Sequence, residues 1–122
     1  MTDARRFQPL PPQQFHVLLS LADGERHGYG IIRDVEARTA RAVRLGTGTL
    51  YTALARLEAL ALVQESPRRP AAGDDGRRRY YRLTPLGRAV LQAETDRLEA
   101  LVRLARRKGV AAGARPAWAR PK

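Results

Sequence analysis

Residues 46–60, Gly-Thr-Gly-Thr-Leu-Tyr-Thr-Ala-Leu-Ala-Arg-Leu-Glu-Ala-Leu, constrain the fold more than any other stretch. Leu50, Leu54, Leu57 and Ala61 recur at helical spacing, so one face of this segment belongs in a core. The other side carries Thr49, Thr52, Ala53 and Arg56. Thr47 is a suitable N-cap, because its hydroxyl can accept from the free amides of a first turn. Gly48 lowers helix propensity but keeps the helix start slim, so that backbone can approach another surface closely.

The flanking segments place this helix third in a series. Residues 1–10 read as a flexible N-terminal arm. Residues 13–22 form a first helix, with Phe15, Leu18, Leu19 and Ala22 on one stripe and Asp23-Gly24 as its stop. Residues 28–39 form a second, with Ile31, Ile32 and Val35 inward and Asp34, Glu36 and Arg38 outward as a solvated face. After the third helix, Leu62 to Ser66 reads as a strand, residues 67–76 as a turn-rich loop, and Arg77 to Leu83 as the return strand. Alternation in that strand sends Tyr81 and Leu83 inward and leaves Arg78, Tyr80 and Arg82 on the open face. Thr84-Pro85 opens a last helix with a hydroxyl cap and a proline at the first helical position.

The order helix, helix, helix, strand, loop, strand, long helix is that of a winged helix-turn-helix, a mainly α (α+β) fold. Residues 11–83 make the winged unit, 84–108 a C-terminal helix, and 109–122 a basic tail expected to be disordered. Roughly 24 residues at 1.5 Å each make about 36 Å. One small three-helix core cannot cover that length, so the far half, with Leu91, Leu98, Leu101, Val102 and Ala105, is expected to pair with a second copy.

The chain carries 23 basic and 12 acidic residues, a net charge of +11, and all but two of the basic residues are arginine. A surplus of that size favours polyanions, nucleic acid first. There is no cysteine, which excludes disulfides and thiolate metal sites. No apolar run approaches the roughly 18 residues a membrane span needs, and the first residues lack the apolar region of a signal peptide. A cytoplasmic protein is expected. No Ser-His-Asp arrangement, phosphate-binding loop or paired-carboxylate pocket is evident, so neither catalysis nor a cofactor is expected. Two isolated histidines give no metal-ligand set: His27 reads as a helix-start residue, His16 as a helix-surface or dimer-contact residue.

Three local motifs narrow the reading. His27-Gly28-Tyr29-Gly30-Ile31-Ile32 opens the second helix. Gly48-Thr49-Leu50-Tyr51, with Leu54, Arg56-Leu57-Glu58 and Leu62-Val63, forms the third helix and its exit. Arg79-Tyr80-Tyr81-Arg82-Leu83-Thr84, with Gly87-Arg88 and Leu91, joins the hairpin to the last helix. In this order and spacing they resemble the signatures of PadR-type transcriptional regulators, in the subgroup with a short C-terminal helix, over about residues 13–107. The resemblance implies a homodimer built through the last helix and the N-terminal segment. It implies a third helix in the major groove, a wing on the neighbouring minor groove or backbone, and repression more often than activation. Some members are relieved by small aromatic or drug-like ligands, which makes such an effector a candidate partner. The chain departs from the pattern at Ala61, where the family usually has Gly. A side chain is tolerated there only if the residue avoids positive φ. The hairpin tip is acidic (Asp74-Asp75), and Trp118 lies in the tail rather than in the last helix.

The residues expected on double-stranded DNA are Thr47, Gly48, Thr49, Tyr51, Thr52 and Arg56 of the third helix, Tyr29 of the second, and Arg77, Arg78 and Arg79 of the wing. Thr47 and Thr49 sit where free amides favour phosphate. Tyr51 can donate to phosphate or pack on sugar. Thr52 suits a thymine methyl, and Arg56 a guanine or phosphate. Tyr29 reads either as a backbone contact or as packing under the third helix. The wing arginines position without reading sequence; as a solvated strand edge they would instead only block sheet-to-sheet aggregation. Two competing classes are a winged-helix protein-interaction module and a small basic RNA-binding or architectural protein. The third helix shows little of the aromatic stacking surface that RNA readers use.

Overall fold

The computed structural model describes residues 3–67 and 79–110. In chain order the elements are a 3-10 helix Ala4–Phe7, α1 (Pro12–Ser20), β1 (Arg26–His27), α2 (Gly28–Arg38), α3 (Thr47–Ala59), β2 (Val63–Glu65), β3 (Tyr80–Leu83) and α4 (Pro85–Arg107). The winged helix-turn-helix order is therefore present, with one strand more than the sequence suggested. Residues 68–78 and 111–122, which include Arg68, Arg69, the Asp74-Asp75 tip, Arg77, Arg78 and the basic tail with Trp118, lie outside the described residues.

One core serves all the helices. Val17 and Leu18 of α1, Ile31 and Val35 of α2, Leu50, Leu54 and Leu57 of α3, and Leu62, Val63 and Val90 are almost fully buried. Each such side chain contributes about 1.5–3 kcal/mol by leaving water. The α1 stripe is rotated from the expected one. Leu18 is innermost as expected, but Val17 and Ser20 join it there, while Phe15, Leu19 and Ala22 are half-buried against the core. On α2, Asp34 is not a solvated acid. Its carboxylate accepts from Arg38 Nε at 2.8 Å and pairs with Arg26 at 3.5 Å. Burial opposes its ionisation, but hydrogen bonds from Arg38 and Ser20 and the charges of Arg38 and Arg26 outweigh that and hold the carboxyl below its ordinary range.

Two helices end in the same way. Leu62 N–H donates to Leu57 O at 2.9 Å and Ala61 N–H to Glu58 O at 3.0 Å, which closes α3 with Ala61 at φ 61°. Arg41 N–H donates to Glu36 O and Ala40 N–H to Ala37 O, which closes α2 with Ala40 at φ 50°. Both are Schellman endings, in which the left-handed residue is ordinarily glycine. Ala61 therefore occupies the conformation that the sequence reading required it to avoid, and the reversal lets Leu62 N–H and Ala61 N–H satisfy two orphan carbonyls at the end of α3.

The sheet is antiparallel in the order β1-β3-β2, with His27 opposite Tyr80, Arg26 opposite Tyr81, and Val63 opposite Leu83. Two residues of β1 are too few to leave a periodic signal. Their presence makes β3 the central strand and overturns the expected alternation. Tyr80 is buried along with Tyr81, its ring edge-on to the His27 imidazole at 5.3 Å.

Thr84 caps α4 as its sequence implies, with Oγ1 accepting from Gly87 N at 2.9 Å and donating to Ala61 O at 2.6 Å. The expected flexible arm is instead docked on this helix. Gln8 Nε2 donates to Ala93 O at 2.8 Å and Leu10 N–H to Glu94 Oε2 at 3.0 Å. Glu94 is 2% exposed, its Oε1 accepting from Arg97 Nε at 2.7 Å and its Oε2 from Arg97 Nη2 at 2.8 Å. A buried carboxylate with these donors is what holds residues 3–10 in place.

Candidate nucleic-acid interface

The outward face of α3 is built by the same periodicity that builds the core. With Leu50, Ala53, Leu54 and Leu57 turned in, Thr47, Gly48, Thr49, Tyr51, Thr52 and Arg56 are all exposed. Ala53, expected on the outer side, is 8% exposed and belongs to the core. Thr49, Thr52 and Arg56 stand at helical intervals of three and four residues and share one surface stripe.

Thr47 does not cap α3. The cap is Gly46, which makes no side-chain bond, and Leu50 N–H closes the first turn onto Gly46 O at 2.9 Å. The helix starts one residue earlier than a threonine cap requires. The Thr47 hydroxyl consequently stands in the first turn, exposed beside free amides.

The His27-Gly28-Tyr29 motif acquires a physical explanation. His27 caps α2, its Nδ1 accepting from Gly30 N at 3.0 Å. Gly28 is buried against Tyr51, whose ring lies across the space a side chain at 28 would need. Tyr51 is thereby supported from below while remaining 48% exposed. Tyr29 is 55% exposed, with the Arg33 guanidinium 5.7 Å from its ring centroid. It is on the surface rather than packed beneath α3.

A cleft of about 590 Å³ runs along the α3 stripe, lined by Gly48, Thr49, Thr52 and Arg56 on one side and by Pro11, Gln13 and Gln14 on the other. Gln13 and Gln14 are interface candidates that the sequence did not offer, since two glutamines at the start of a helix carry no signal of their own. On the wing, Arg79 is exposed at the start of β3. Arg82 is exposed and lies 4.0 Å from Glu25.

The α4 residues divide. Leu91 is 6% exposed and fills the protomer's own core, because the turn of α4 that carries it still lies over that core. Leu98, Leu101 and Val102 are 37–49% exposed, joined by Leu104 at 41%, and Ala105 is half-buried. No helix among the described residues is long and apolar enough to cross a membrane.

The pattern of the Transcriptional regulator PadR-like family matches residues 17–93. Transcriptional regulator Rv3488 of Mycobacterium tuberculosis is 40% identical over 90 residues, covering 74% of this chain and 78% of that protein. An uncharacterized 37.1 kDa protein in transposon TN4556 of Streptomyces fradiae is 46% identical over 88 residues. That alignment takes in 72% of this chain but only 23% of the Streptomyces protein. The crystal structure of a PadR family transcription regulator from Clostridium difficile superposes with a TM-score of 0.67 at 24% identity, covering 80% of this chain and 98% of that one, which places the fold. With the family pattern spanning well over half the sequence and the winged fold in place, the chain belongs to the PadR-like family of transcriptional regulators.

Proposed function

We propose that the protein is a sequence-specific DNA-binding regulator that acts as a homodimeric repressor on an inverted-repeat operator in the cytoplasm. The observation that carries this reading is the exposed stripe of Thr49, Thr52 and Arg56, with Tyr51 propped on Gly28 beside it. That edge is slim enough for the major groove and has the chemistry for it: a methyl for thymine, a guanidinium for guanine, hydroxyls and amides for phosphate. Thr47 and Gly48 let the helix start approach the backbone. Tyr29 and Arg79 serve as positioning contacts, and Arg77 and Arg78 are assigned the same role from the sequence.

The partner copy pairs through the apolar surface of α4 at Leu98, Leu101, Val102 and Ala105. Exposed leucines and valines in one row are the surface a second identical helix buries. Two α3 helices about 34–36 Å apart would read half-sites one helical turn apart. A mobility-shift titration on the DNA upstream of the protein's own gene tests the reading. Tight binding with a steep salt dependence is expected. Equal affinity for that DNA and for random duplex would overturn it.

A further inference from the structure

The cleft beside α3 has two walls of different origin. Thr49, Thr52 and Arg56 stand on one; Gln13 and Gln14, from the start of α1, stand on the other. Gln13 and Gln14 lie one helical turn before Val17 and Leu18, so each pair shares a face of α1. Val17 and Leu18 are fully buried in the core that also holds Leu50, Leu54 and Leu57 of α3. The buried stripe of α1 therefore continues past the edge of the core, where its last places are carboxamides rather than hydrocarbon. The packing behind them fixes where these two side chains stand relative to α3. Gln13 is exposed and Gln14 half-buried. Among the described residues neither carboxamide has a hydrogen-bond partner. Gln14 also lines a neighbouring hollow with Phe7 and Leu60, which leaves Gln13 the freer of the two.

We propose that Gln13 reads an adenine of the operator, so that base recognition is shared between α3 and the start of α1. This rests on the DNA-binding reading above. A duplex edge laid against Thr49, Thr52 and Arg56 has the opposite wall of the same cleft, and hence Gln13, beside it. A carboxamide holds a donor and an acceptor side by side, the pair that adenine N7 and N6 complement in the major groove. A phosphate oxygen only accepts, and a guanidinium serves it better. In a chain whose basic residues are nearly all arginine, a neutral glutamine on this wall suits a base edge rather than the backbone. The base pair that Gln13 reads adjoins the one read by Arg56, because both side chains line one cleft.

The experiment is selection from a randomised duplex library by the full chain, followed by sequencing, for wild type, Arg56→Ala, Gln13→Ala and Gln13→Glu. Wild type is expected to enrich a motif with an adenine, once per half-site, next to the base pair whose preference Arg56→Ala removes. Gln13→Ala should lower the preference for that adenine about tenfold and leave the rest of the motif unchanged. Its unfolding midpoint should match that of wild type, since an exposed side chain without a bond is removed. Gln13→Glu should exchange the adenine for cytosine, whose N4 amino group a carboxylate accepts from. A loss spread equally over all positions, as a phosphate contact or a damaged dimer would give, overturns the assignment. So does a wild-type motif that Gln13→Ala leaves as it was. Both of those outcomes leave the proposed function standing. A wild type that enriches no motif overturns the proposed function, and this inference with it.

Discussion

Gly87 of α4 rests against Leu62 so tightly that a β-carbon at 87 would stand 1.9 Å from the Leu62 carbonyl oxygen. The same oxygen accepts from Thr84 N–H at 3.1 Å, and Thr84 Oγ1 donates to Ala61 O. The end of α3 and the start of α4 are thus one joint. The helix proposed to read DNA and the helix proposed to pair subunits cannot tilt independently about it.

Gly87→Ala should therefore destabilise the protein by about 3 kcal/mol or more, because the obstacle is backbone rather than the end of a flexible side chain. Thermal unfolding of the purified variant checks this.

Ala61→Gly should do the reverse. A left-handed alanine costs roughly 1 kcal/mol, part of which glycine returns in unfolded-state entropy. A net gain of about 0.5–1 kcal/mol is expected. Ala40→Gly should give a similar gain, and the two should add, since they close different helices. Denaturant midpoints of the single and double variants measure both.

Gly28→Ala separates support from stability. The added carbon would lie 2.6 Å from the Tyr51 hydroxyl, at the far end of a side chain that can swing away. Stability should change by about 1 kcal/mol or less, while duplex affinity falls because Tyr51 is displaced. In a protein already carrying Tyr51→Ala, adding Gly28→Ala should have little further effect on binding, which a double-mutant cycle in the mobility shift would reveal.

On DNA, Thr49→Ala and Arg56→Ala should reduce discrimination between operator and random duplex by about 1–3 kcal/mol for a lost base contact. Arg79→Ala should weaken all duplexes alike and lower the salt slope by about one. Titrations at several salt concentrations distinguish the two outcomes.

Acid should unfold the protein in two phases. Burial, with the Arg38 charge adding to it, depresses the His16 pKa, so the unfolded chain takes up that proton first. Stability is full above the ordinary histidine value of about 6.5 and declines as pH falls below it. Hydrogen bonds from Arg97 hold Glu94 below its ordinary range, against burial, with the Leu10 amide helping. Its contribution is complete above about pH 4.3 and is lost as pH falls from there through the depressed folded value. His16→Gln should remove the first phase and Glu94→Gln the second. The latter should cost about 1–2 kcal/mol at neutral pH and release the segment around Leu10. Unfolding midpoints between pH 3 and 8 test both.

Periodicity and punctuation in the sequence determined α2, α3 and α4, the threonine cap of α4, and the exposed stripe of Thr49, Thr52 and Arg56. These are properties a helix has by itself: which residues share a face, and where its first turn finds a partner. Tertiary structure decided what depends on neighbours distant in the chain. It buried Tyr80 by adding β1 and turned Leu91 into core. It placed Tyr51 over Gly28 and docked residues 3–10 on Glu94. The reason is physical. A residue's face follows from local geometry, but its burial follows from whichever element arrives to cover it, and short strands and single hydrogen bonds leave no repeat to read.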